Sequence, residues 1–151
     1  MDQTFEMFNE ILVKLFRDIM DIEGKAIITE EFHDISNNDM HVIEAIGIDE
    51  RKNMSAVARE LSVTIGTLTI AVNSLVKKGY VERVRSEQDR RVVYISLTAK
   101  GEKAYRHHEE FHRQMILATI DGLSEEETRI LVKALSNLNQ FFRSMVEENK
   151  R

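Results

Sequence analysis

A chain of 151 residues, 42% of them hydrophobic and none of them cysteine, can bury one sizeable core and excludes both a disulfide framework and a thiolate metal site. No apolar run approaches the roughly 20 residues of a membrane span, and Asp2, Glu6 and Glu10 are unlike the basic start of a signal peptide, so the expectation is a soluble, cytoplasmic protein without a membrane partner. The net charge of −5 hides an uneven distribution: residues 1–53 hold 5 basic and 13 acidic groups, 54–106 hold 10 and 5, and 107–151 hold 6 and 8. Binding of a polyanion depends on the field within about a Debye length, so a basic middle inside an acidic chain remains compatible with nucleic acid.

In chain order, Phe5, Phe8, Leu12, Leu15, Ile19 and Ile22 recur at helical spacing and predict a first helix ended by Gly24. Ser36 or Asn37 caps a second helix that turns Met40, Ile43 and Ile46 inward and stops at Gly47. A short helix over Ser55–Leu61 and a turn lead to a helix that opens at Thr64 and closes at Lys77-Lys78-Gly79. The β-rich stretches Val81–Arg85 and Val92–Leu97 flank a charged hairpin tip, Ser86-Glu87-Gln88-Asp89-Arg90-Arg91. Thr98 begins a long helix through Ala104, Phe111, Met115 and Leu117, ending before Asp121-Gly122. The last helix opens on a capping box, Ser124 with Glu127, and carries Leu131, Leu135, Leu138, Phe141, Phe142 and Met145. With no proline, repeat or low-complexity linker, residues 1–151 read as a single domain.

The order helix, turn, helix, hairpin is that of a winged helix-turn-helix, here about residues 36–97. The fold class is mainly α with a small β-hairpin wing, and long helices at about 1–24 and 100–148 serve dimerisation. Those helices bear more apolar surface than a small reading head covers, which favours a homodimer presenting two reading helices to a pseudo-palindromic operator in double-stranded DNA. On the reading helix, Ile65, Leu68, Val72, Leu75 and Val76 are expected to face the core, leaving Gly66, Thr67, Ile70, Asn73, Ser74 and Lys77 outward. Small residues admit the helix to the major groove, hydroxyls and the Asn73 amide bond base edges or phosphates, and Ile70 meets a thymine methyl. Thr64 is the expected N-cap, and Ser55, Thr64 and Thr69 complete the helical contact set. On the wing, Arg85, Ser86, Asp89, Arg90 and Arg91 are the candidates: an arginine enters the minor groove while Asp89 holds a guanidinium by a bidentate pair.

The succession Ser55-Ala56-Val57-Ala58-Arg59-Glu60-Leu61, Leu75-Val76-Lys77-Lys78-Gly79-Tyr80-Val81, Asp89-Arg90-Arg91 and Leu97-Thr98-Ala99-Lys100-Gly101 resembles the MarR family of transcriptional regulators. Within it, Val63–Thr69, Glu82–Val93 and Asp121–Glu127 look like the repressors of bacterial fatty-acid synthesis genes. The resemblance implies a dimer, a palindromic operator near fatty-acid synthesis promoters, and a long-chain acyl group on acyl carrier protein as corepressor.

Two effector readings stay open. Phe16, Met20, Phe32, Met40, Phe111 and Met115 are candidates to line a deformable apolar tunnel for an acyl chain, although each alone is equally an ordinary core residue. Alternatively His108 and His112, four apart on one helix, with His41 and Glu23 make a set that suits zinc and resembles zinc-responsive members of the family, although such histidine pairs are often solvated or satisfied by neighbouring carboxylates, here Glu109 or Glu44. A regulator answering another small molecule, and a winged helix that binds only protein, also remain. No nucleophile elbow, phosphate-cradling glycine loop or paired catalytic carboxylates occur in a recognisable frame, so no enzyme is expected.

Overall fold

Side-chain caps decide where the helices begin. Ser36 accepts from the Asp39 amide at 3.1 Å while Asp39 returns the bond to the Ser36 amide at 3.1 Å, Asn53 accepts from Ala56 N at 2.8 Å, and Thr64 accepts from Thr67 N at 3.1 Å. The structure, a computed structural model, describes residues 3–148. The elements are α1 (Gln3–Ile27), α2 (Asn37–Ile46), β1 (Lys52–Asn53), α3 (Met54–Glu60), α4 (Ile65–Lys77), β2 (Val81–Arg85), β3 (Val93–Leu97), α5 (Ala99–Ile120) and α6 (Glu125–Glu148).

Two departures from the expected boundaries have local causes. Helix α1 continues past Gly24 to Ile27, and Gly24 is wanted for closeness: a Cβ there would lie 3.1 Å from Asn37 Nδ2. The hairpin gains a third strand, since Lys52 and Asn53 pair with Ile95 and Tyr94, giving antiparallel order β1-β3-β2. At two residues, β1 is too short for any alternation to announce it.

The chain divides into two compact units, one reaching to Phe111 and the other starting at His112, where the sequence alone reads as one continuous domain. The first has a core of Ile43, Ile46, Val57, Leu68, Val72, Leu75, Tyr80 and Ile95, all fully buried, contributed by α2, α3, α4 and the sheet. Close packing is visible at Gly101, where a Cβ would come within 2.1 Å of the Tyr80 carbonyl oxygen. The second unit holds the end of α5 and all of α6, which opens on the expected capping box: Glu127 Oε2 accepts from Ser124 N at 2.8 Å, and Ser124 Oγ accepts from Glu127 N at 3.3 Å. No described residue of α6 is buried. Among the described residues no single helix is long and apolar enough to cross a membrane.

Candidate nucleic-acid interface

Leu68, Val72 and Leu75 anchor α4, and the helical period therefore turns Gly66, Ile70, Asn73 and Lys77 away from the core. Ile70 is 74% exposed, a large apolar side chain standing on an otherwise polar face, as suits contact with a thymine methyl. Ile65 does not anchor the helix as expected. It is 52% exposed because the first residue of α4 overhangs the groove beside the wing, while Val76 is half-buried against the core. Of the hydroxyls, Thr64 is committed to the helix cap and Thr69 Oγ1 donates to Ile65 O at 2.7 Å. Thr67 lies on the flank turned toward α2, in a hollow shared with Asn38 and His41, and its Oγ1 accepts from Thr64 at 2.9 Å. Ser74 is half-buried and Ser55 exposed.

The wing tip is built by its own hydrogen bonds. Ser86 is buried: its amide donates to Val92 O at 2.9 Å, and its Oγ accepts from Gln88 N at 3.2 Å and Asp89 N at 3.3 Å. The Ser86 hydroxyl therefore organises the turn instead of facing outward. Asp89 takes Arg91 in the expected bidentate grip, Oδ1 with Nε at 3.0 Å and Oδ2 with Nη2 at 3.1 Å, and also accepts from Arg91 N at 3.0 Å. The Arg91 side-chain hydrogen bond, then its backbone one, holds the Asp89 carboxyl below its ordinary range, and the same pairing raises the guanidinium. The pair stays ionised throughout the physiological range. Arg85 and Arg90 are exposed.

Between wing and helices lies a cleft of about 410 Å³ lined by Asn53, Ser55, Ile65, Thr69, Arg83 and Arg91, among others. Arg83 is the residue that reading the sequence overlooked. It precedes Arg85 by two positions on β2, and this strand period was the signal available. Two guanidiniums beside a hydroxyl in a concave wall have the chemistry to receive a phosphate.

The effector candidates are placed less simply. Phe32 and Met40 join Ile27, Ile35, Ala104, His107 and His108 around a space that leaves no room for a water molecule. Met20 borders a separate open cleft of about 380 Å³ with Gly24, Ile28, Ile35 and Asn37. Phe16 is exposed, Phe111 stacks on His108 with centroids 6.4 Å apart, and Met115 belongs to the second unit. The expected single tunnel is thus not open in the first unit, because its proposed lining packs tightly enough to close it.

Of the metal candidates, Glu23 and His108 do meet. The His108 ring is 2% exposed, and its Nε2 lies 3.2 Å from Glu23 Oε1 and 3.0 Å from Glu44 Oε1. His41 joins indirectly, its Nδ1 standing 3.6 Å from the other oxygen of Glu44, and His112 falls in the second unit. Glu44 of α2, one of the two carboxylates expected to satisfy these histidines, therefore does meet His108.

Comparison with known proteins agrees with this geometry. The family model described as transcriptional regulator SarA/Rot matches residues 25–110. Among solved structures, Streptococcus pneumoniae FabT in complex with DNA superposes with a TM-score of 0.84 at 45% identity, covering 93% of this chain and 99% of that one. A Staphylococcus aureus MepR mutant bound to an oligodeoxyribonucleotide shares the fold, with a TM-score of 0.63 at 21% identity over 91% of this chain and 97% of that one. Among curated proteins, the uncharacterised HTH-type transcriptional regulator YpoP of Bacillus subtilis is 27% identical over 130 residues, 86% of this chain and 89% of that protein. With an outward helix face, a preorganised arginine wing and these matches together, the chain belongs to the winged-helix transcriptional regulators of the MarR type, within the SarA/Rot family, and is a DNA-binding regulator.

Proposed function

We propose that this protein is a homodimeric repressor of fatty-acid synthesis genes, with a long-chain acyl group carried on acyl carrier protein as corepressor. The observation that carries the reading is the 45% identity, over nearly the whole of both chains, to FabT in complex with DNA. The sequence resemblance of the wing and of residues 121–127 to fatty-acid gene repressors points the same way. MarR-family regulators are dimeric, and Phe5, Phe8, Ile11, Leu135 and Phe141 are large exposed apolar side chains on α1 and α6 that a second copy would cover. Repression follows if the dimer occupies promoter DNA. An effector raises that occupancy only through contacts it makes better in the DNA-competent arrangement. Since the space around Phe32 and Met40 is closed, an acyl chain must part α1 from α2 or α5 to enter, and a change in helix spacing is what a reading head can register. The test is genome-wide footprinting followed by titration of one bound promoter. Acyl carrier protein loaded with a long chain should raise operator affinity several-fold, whereas unloaded carrier should not. Sites scattered away from fatty-acid synthesis promoters, or indifference to the loaded carrier, would overturn the reading.

A second reading is favoured by one specific observation, the two carboxylates converging on His108 Nε2. Ligand atoms around a tetrahedral zinc at about 2.0–2.2 Å stand roughly 3.3 Å apart, close to the separations found. Glu23 and His108 would supply ligands, the ion's charge offsetting the half-buried carboxylates that converge on the buried ring. Metal analysis of purified protein, with operator binding measured in zinc and in chelator, tests it: a zinc-dependent gain absent from His108→Ala supports it, and a metal-free protein indifferent to zinc removes it.

A further inference from the structure

The connection that leaves the reading helix, Lys78-Gly79-Tyr80, is gripped from two sides. Tyr80 N donates to Leu75 O at 2.9 Å and Gly79 N to Val76 O at 3.1 Å, so the connection moves with the last turn of α4. From the start of α5, Thr98 N donates to Tyr80 O at 3.0 Å and Lys100 Nζ to Lys78 O at 3.0 Å, with the ammonium 4.2 Å from the centre of the Tyr80 ring. From the other side, Lys78 Nζ donates to Asp39 Oδ2 at 2.9 Å, the same oxygen that caps α2. Tyr80, fully buried, donates its hydroxyl to Asp34 Oδ1 at 2.5 Å. A buried phenol needs such an acceptor, and here the acceptor sits on the α1–α2 loop, 46 residues away in sequence.

Asp34 is two residues from Phe32, whose ring lies in the closed apolar space with Met40 and His108 and 6.4 Å from the Tyr80 ring. Phe32 in the closed space and Asp34, bonded to the connection that leaves α4, thus stand two residues apart on one loop. We propose that the Asp34–Tyr80 hydrogen bond is a positioning contact that sets the angle of the reading helix, linking the α1–α2 loop to DNA while touching no DNA itself. The inference rests on the reading of the protein as a dimer with two heads on a two-fold operator, because only then does helix angle become half-site spacing.

The test uses full-length protein and operators selected by it from random DNA, remade with the spacer between half-sites one base pair longer or shorter. The parent should prefer its own spacing by about tenfold or more, and Tyr80→Phe and Asp34→Ala should narrow that preference to about threefold or less while staying folded by circular dichroism. Asp34→Asn, which keeps an acceptor for the phenol, should discriminate like the parent. Should Tyr80→Phe fail to fold, Asp34→Ala, on a loop, decides alone. Variants that weaken binding by one factor at every spacing would show a merely structural contact and overturn the proposal, as would full retention of the parent's discrimination. A parent with no spacing preference at all would instead sink the two-headed dimer, and this proposal with it.

Discussion

The reading head and the terminal helices carry similar apolar stripes and use them in opposite ways. In residues 36–97 the stripes of α2, α3 and α4 close on one another and on β3, burying Ile43, Leu68, Val72 and Ile95 almost completely. Along α6 Leu135, Phe141, Phe142 and Met145 remain exposed, as do Phe5, Phe8 and Leu15 along α1. A head whose helices cross can bury three faces around one centre, whereas a long helix with one apolar stripe needs a facing surface of comparable length. The head, with the end of α1 and the start of α5, buries its stripes internally, while those along α1 and α6 stay exposed.

The comparison breaks most severely if the head's interior is disturbed. Leu75→Ala should cost about 2–5 kcal/mol, and Gly101→Ala about 3 kcal/mol because its Cβ meets a backbone oxygen, both measured by urea unfolding. An equally large loss from a single apolar-to-Ala change on α6, in protein diluted to monomer, would erase the distinction drawn above.

Phe141→Glu should leave the head's unfolding nearly unchanged and yet weaken self-association by about 2 kcal/mol or more, read by analytical ultracentrifugation. If the variant associates like the parent, α6 is not where the partner binds. Arg91→Ala touches neither core nor dimer surface, and should weaken operator binding roughly 10- to 100-fold with no change in thermal stability. The loss should shrink as salt is raised, because the contact is electrostatic.

The smallest effect belongs to the entry of α6. Ser124→Ala removes a helix cap and should cost about 1 kcal/mol in the stability of that unit. Glu127 gives it a pH signature. The Ser124 amide, then the Ser124 hydroxyl, holds the Glu127 carboxyl below its ordinary value, so its contribution is present above the unfolded value and fades as pH falls through the lowered folded one. Acid titration followed by helicity should show the parent and Glu127→Gln converging at low pH, where the parent's carboxyl is also uncharged. Curves that stay parallel would mean the carboxylate adds nothing to the cap.

Elements whose causes lie within a few residues were legible beforehand: the caps at Thr64 and Ser124, Ser36 as one of two candidates for the α2 cap, the strand Val81–Arg85 to the residue, and a grip of Asp89 on a neighbouring arginine, which the fold assigns to Arg91. The reading helix was legible in its outer residues Gly66, Ile70, Asn73 and Lys77 and misread at Ile65, because burial at a helix end depends on what stands beside it. Ser86 looked like a contact, since a serine at a turn gives no sign of whether its hydroxyl points out or organises the amides that follow.

Periodicity, capping residues and the local excess of arginine and lysine thus determined from the chain alone that there is a winged reading head with long apolar helices about it. Each of those signals is written within one helix turn, one hairpin or one charge cluster. Tertiary structure alone decided that Glu44 and Glu23, each a candidate partner for the histidines, both reach the same nitrogen of His108, that Arg83 shares a cleft with Arg91 and Ser55, and that Asp34 answers Tyr80. At His108 and Tyr80 the cause is burial of a polar group that needs a partner, whereas the exposed Arg83, Arg91 and Ser55 are brought to one cleft by the way the wing packs beside α3 and α4.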